Sequence, residues 1–183
     1  MRRVVTGHDS QGRSVVVDDG VPPRTHEFAA FPGFVSSLAW ATDPDTHISW
    51  PGEDVTMKVE SMLPPPGGTR LRLVTVPPDA AKDSLEFDAA AFGAEQRHYG
   101  PGLAELFEPN GMHTTPTIDY TIVLDGELWL ELDGGHLTHL KAGDLVVQNG
   151  TRHAWRNRSD RPVYLAAILI GATAEAAPDP PSH

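Results

Sequence analysis

His113, Asp119 and His153 are the side chains best suited to metal chemistry in this sequence. The first two stand in GMHTTPTIDYTIVLDG, residues 111–126, and the third in GDLVVQNGTRHAWRN, residues 143–157. Two neutral imidazoles and one carboxylate can hold a divalent first-row metal on one face and leave its other positions open. A regular strand puts His113, Thr115, Thr117 and Asp119 on one face, because strand side chains alternate with period two. The same alternation also suits a metal-free polar network in which Asp119 accepts from Thr117 or a histidine. Trp155 shares its face with His153, as pocket wall or as core. Tyr120 follows Asp119 and takes the opposite face unless a turn breaks the alternation. Thr115, Thr117, Tyr120, Arg152 and Trp155 are the candidate substrate-binding residues. Arg152 or Arg156 can grip a carboxylate bidentately, or can simply pair with carboxylates at the surface.

These residues need a scaffold of short strands. Proline and glycine, 17 each, cut the chain into short pieces. Arg3–Thr6 and Ser14–Asp18, joined by HDSQG, read as a hairpin. Phe34–Ala41, Val55–Met62 and Leu71–Val76 read as strands, with the unstructured LPPPGGT between the last two. Residues 79–110 read as a loop carrying one or two short helices. Thr121–Leu124, Glu127–Leu132, Thr138–Leu140, Leu145–Gln148, His153–Arg156 and Val163–Ile170 complete a run of strands separated by turn signals. Such a run predicts an all-β sandwich or barrel. His136 and His139 flank a hairpin with Gly134-Gly135 and are expected at the surface. The segment from residue 172 is low-complexity and reads as a disordered tail. The expected organisation is an N-terminal strand extension over 1–33, a barrel over 34–171 and the tail over 172–183.

Composition removes whole classes of function. The chain of 183 residues carries a formal net charge of −11, which disfavours nucleic-acid phosphates and anionic membranes. It contains no cysteine, so disulfides, thiolate zinc sites and cysteine nucleophiles are excluded. MRRVVTGHDSQGRS lacks an apolar signal core, and a cytoplasmic protein is expected.

The residues around the trio resemble the two motifs of the cupin superfamily. In the first motif His113 matches the leading histidine of a His-x-His pair. Asp119 falls at the glutamate position, with three residues between it and Thr115, and Gly126 follows after six more. In the second motif Gly143 opens, and Gly150, His153 and Asn157 keep the closing spacing. Three positions depart: Thr115 replaces the second histidine, Asp119 replaces Glu, and Asn149 replaces Pro with the spacing one residue short.

The resemblance implies a double-stranded β-helix, a jelly-roll-like barrel, with the N-terminal strands and short helices as additions. It also implies a homodimer and a divalent metal (Fe, Mn, Ni or Zn) inside the barrel. The leading functional expectation is a metal-dependent enzyme for a small oxygenated organic substrate, of decarboxylase, isomerase or dioxygenase type. A non-catalytic small-ligand-binding or sensor cupin and a structural, oligomer-forming cupin are the alternatives. Ile122, Leu124, Val147, Trp155 and Ile168 are available to line or back the barrel. Apolar walls with a few polar groups suit a keto acid or a phenolic better than a sugar phosphate.

Overall fold

The computed structural model of the chain describes residues 1–48, 52–84 and 87–173. Among them, β1 (Arg3–His8) and β2 (Ser14–Gly20) form a hairpin of their own. The large sheet contains β3 (Arg24–Glu27), β4 (Val35–Thr42), β5 (Thr69–Val76), β6 (Thr117–Asp125), β9 (Leu145–Asn149) and β11 (Val163–Gly171). Its order is β3-β4-β5-β11-β6-β9, antiparallel at every step. The small sheet has the order β10-β7-β8, from β7 (Glu127–Glu131), β8 (Leu137–Lys141) and β10 (Ala154–Arg156).

The two sheets close over a shared core, as a double-stranded β-helix does. Val123, Val163 and Leu165 come from the large sheet, and Leu128, Leu130 and Leu140 from the small one. Each such side chain contributes roughly 1.5–3 kcal/mol on burial. The inward residues of β6 run Thr117, Asp119, Thr121, Val123, all buried. One end of the barrel is thus apolar core, and the other end is polar and holds the candidate site. Gly126 makes the tight turn from β6 to β7 at φ +88°, and a Cβ there would meet the Val163 backbone at 3.0 Å. Only glycine takes that conformation without strain.

The helix α1 (Ala89–Tyr99) occupies the segment expected to hold short helices. Asp88 caps it by accepting from the Ala90 and Ala91 N–H groups. Phe92 of α1 packs on Phe28, Phe31 and Phe34, and Phe28 and Phe31 are buried. Glu95 clasps the helix to the loop before β4. It accepts from His26 Nε2 at 2.6 Å, Ala29 N–H at 3.0 Å and Ala30 N–H at 3.1 Å.

Three sequence expectations need correction. Val55–Met62 is not a strand; Val55–Lys58 forms a 3-10 turn. Asp54 accepts from the Thr56 N–H and hydroxyl, and Arg24 donates to the Thr56 and Val59 carbonyls. Side chains therefore take the backbone groups a strand ladder would use. Residues 24–27, placed by sequence in the extension, form β3 on the large sheet. Finally, β6 begins at Thr117 rather than Thr121, because its first inward residues are polar. The expected tail lies outside the described residues beyond residue 173.

Candidate functional site

His113 and His153 face each other across an isolated antiparallel bridge, each N–H donating to the other's carbonyl at 2.8 and 2.9 Å. Their rings lie 4.3 Å apart between centroids. The His153 Nδ1–H donates to the Thr151 carbonyl at 2.9 Å, and the His113 Nδ1–H to the Gly111 carbonyl at 3.3 Å. Those bonds fix the tautomer and leave both Nε2 lone pairs available to a ligand. Burial, and then the neighbouring His153, push His113 down to about 4. Burial also lowers His153, against a partial offset from the Thr151 carbonyl and Asp119. Both rings are therefore neutral at physiological pH, as metal ligation requires.

Asp119 is buried on the inner face of β6, and its Oδ1 has no hydrogen-bond partner. Burial raises its pKa, while the Thr117 hydroxyl, His153, Arg72 and the Thr115 hydroxyl pull it back. Thr117 donates to Thr115 at 2.7 Å, and both are buried beside it. Gln148, the cross-strand partner of Asp119 on β9, is also buried, and its Nε2 lacks a partner. An acceptor and a donor without partners thus stand on paired positions of β6 and β9. Yet among the described residues no group of three or more His, Cys, Asp or Glu side chains stands ready to hold a metal ion. The donor chemistry fits a divalent metal; the assembled trio is not formed.

The remaining expectations divide. Trp155 packs on the core and places its edge against His153 at 5.5 Å, so it is wall and core together. Tyr120 lies on the outer face of β6, 42% exposed, and does not join the site. Ile122 and Ile168 stand at outward positions, and Leu124 and Val147 are exposed, so none of the four lines the barrel. Parity and pairing decide this: Asp119 and Thr121 are inward, so Ile122 and Leu124 turn out, and Val147 and Ile168 pair with the outward Tyr120. Arg152 is held by Glu108 at 2.5 Å and Asp133 at 2.5 Å, and Arg156 by Glu131 at 2.5 Å. Neither arginine is free for a substrate carboxylate. His136 and His139 are exposed, and His139 stacks on Trp129 at 4.3 Å. Asn157, fully buried, donates to the Val76 and Arg161 carbonyls and accepts from Ser159, so it clamps the turn after β10.

Sequence reasoning missed three contributors. Phe107 stacks on His113 at 4.1 Å, from a loop whose sequence carries no signal for it. Gln148 was legible by its pairing opposite Asp119, had β9 been registered. Arg72, on β5, lies within the fields of Asp119 and His113.

Known proteins resemble the chain in sequence. Residues 92–170 match the Cupin domain family. The chain is 34% identical over 164 residues to "Phomopsin biosynthesis cluster protein C'" of Diaporthe leptostromiformis, covering 86% of this chain and 70% of that protein. It is 24% identical to "Cupin-domain-containing oxidoreductase fogC" of Aspergillus ruber, covering 85% of this chain and 63% of that protein. Among solved structures, a Cupin 2 conserved barrel domain protein from Salinispora arenicola is 17% identical, with 72% of this chain and 75% of that one covered and a TM-score of 0.36. With its histidines paired across the barrel mouth and both motifs in order, the chain belongs to the cupin superfamily.

Proposed function

We propose that the chain is a metal-dependent cupin enzyme acting on a small oxygenated organic compound, by chemistry of the decarboxylase, isomerase or dioxygenase type. His113, His153 and Asp119 would hold Fe(II), Mn(II), Ni(II) or Zn(II). The observation that carries this reading is the histidine pair, with each Nδ1 tied to a carbonyl and each Nε2 left over. A bound metal supplies Lewis acidity toward a substrate oxygen, and iron adds redox capacity. The chain supplies the rest. Burial keeps both imidazoles unprotonated, and Phe107 and Trp155 shield them from water. The Thr115 hydroxyl, held by the bond it accepts from Thr117, and the Gln148 Nε2 offer hydrogen bonds to a substrate oxygen. The name of the Aspergillus ruber relative, an oxidoreductase, favours the redox branch for this chain.

Elemental analysis of protein purified after supplementation with each metal tests the reading. Near-stoichiometric metal supports it, and a chain that retains none overturns it. A second reading, a metal-free small-ligand-binding cupin, is favoured by the absence of an assembled three-group cluster among the described residues. A fold stable without metal, together with binding of an organic ligand, would select it.

A further inference from the structure

We propose that Arg72 anchors a carboxylate of the substrate inside the barrel. Arg72 sits on β5 in register with Leu38 of β4 and Ala167 of β11, and Ala167 in turn pairs with the buried Thr121. That row lies next to the row holding Asp119 and Gln148 on the same sheet face. Among the described residues its guanidinium makes one hydrogen bond, from Nη2 to the neutral Ser36 hydroxyl at 2.9 Å. Its Nε is sealed from solvent and has no partner. A guanidinium has five donors, and a buried one left without an anion is costly.

Its surroundings do not supply that anion. Among the described residues Arg2, Arg3, Arg13, Arg70, Arg152, Arg156 and Arg161 each meet a carboxylate within 4.0 Å; Arg72, like Arg24, Arg97 and Arg158, does not, and Arg24 instead donates to the Thr56 and Val59 carbonyls. Asp119 is the opposing charge that acts on it, but only through space. If Asp119 gives its charge to a metal, Arg72 has no counter-charge of its own. Ser36 also lines a cavity of about 240 Å³, together with Arg24, His26, Leu38, Met62 and Tyr99. Arg72 thus bonds to a residue of the cavity wall and acts electrostatically on His113. The planar fork of arginine matches a carboxylate bidentately, which a point charge does not. The substrate class is accordingly a small organic acid, with its carboxylate on Arg72 and its oxygenated end toward His113 and His153.

This assignment rests on the proposed enzyme site, but its test does not need the metal. Chelator-treated full-length protein is titrated with para-fluorobenzoate and with para-fluorobenzamide, followed by fluorine NMR. The acid is expected to bind roughly tenfold more tightly than the amide, the factor that one charge-assisted pair gives. Arg72→Met should abolish that difference, while Arg72→Lys should keep part of it. Circular dichroism checks the fold; if Arg72→Met does not fold, Arg72→Lys and Ser36→Ala carry the test. Ser36→Ala frees the guanidinium and should preserve the preference for the acid. Equal binding of acid and amide overturns the assignment. So does unchanged acid binding in the folded Arg72→Met variant, or no binding of the acid by the wild type at about 10 mM. Failure of the metal reading would appear instead as missing metal in supplemented protein, with the acid preference intact.

Discussion

Replacing one histidine of the pair should remove the stabilisation that metal gives, and a double difference isolates it. His153→Ala deletes a buried ring that touches His113 and Trp155, and one hydrogen bond to the Thr151 carbonyl. That alone costs stability in the metal-free protein, on the order of 1–3 kcal/mol from the lost bond and the cavity. The metal term is separate. A ligand that binds only the folded state at a hundred times its Kd stabilises by about 2.7 kcal/mol. For a chain of this size each kcal/mol moves Tm by about 2–4 °C, so the wild type should gain about 5–11 °C. In His153→Ala and in His113→Ala the gain should fall to near zero, whatever the metal-free Tm has become.

The assay is thermal unfolding by circular dichroism, with and without metal, for the wild type and each variant. Comparing gains rather than Tm values removes the cavity cost, which is common to both conditions. Asp119→Ala should reduce the gain by a smaller amount if the carboxylate joins the site only on binding, since the trio is not assembled beforehand. If both histidine variants keep the full wild-type gain, the metal lies elsewhere and the reasoning from the Nε2 atoms is wrong.

Glu95→Gln tests the clasp on α1. Burial pushes Glu95 up, but bonds from His26, Ala30 and Ala29 more than reverse it and leave it below the ordinary carboxylate range. A carboxylate depressed in the folded state adds stability that is present above its unfolded pKa and lost as pH falls through the folded one. The variant should therefore lose roughly 1–2 kcal/mol at neutral pH, after allowance for solvent screening, with the gap to wild type closing below about pH 4.5 in urea melts. Gly126→Ala should cost about 1–3 kcal/mol by denaturant titration, because φ +88° is strained for alanine and the Val163 backbone cannot give way. The hairpin of β1 and β2 is bound to its own chain through Arg3, which donates to the Ala39 carbonyl and pairs with Asp54, while Val4, Val16 and Val21 stay exposed. Light scattering should find a dimer at micromolar concentration that deletion of residues 1–20 dissociates, and a monomeric full-length chain would end that idea.

What could be read from the sequence, and what could not, follows from where the barrel interior is polar. Turn glycines and the Leu128/Leu130 alternation placed the small sheet and the apolar end of the core, because there polarity and burial agree. At the other end they disagree. In TRLRLVTV of β5, an apolar-inside rule turns Leu71 and Leu73 inward and sends the arginines to solvent. The register does the reverse: Arg70 aligns with the buried Leu169, and Arg72 with Ala167 and Thr121. The same rule made Ile122 and Leu124 candidates to line or back the barrel, and two-residue parity counted from Asp119 sends them outward. Parity therefore carries more information than polarity near a polar site, and the trio anchors it. Once Asp119 is fixed as inward, Thr117, Thr121 and Tyr120 are assigned by counting alone. Arg72 and Gln148 need cross-strand register as well, which a single sequence does not encode. The groups hidden from sequence are thus those that three paired strands bring beside Asp119, and two of them, Arg72 and Gln148, carry its unpartnered donors.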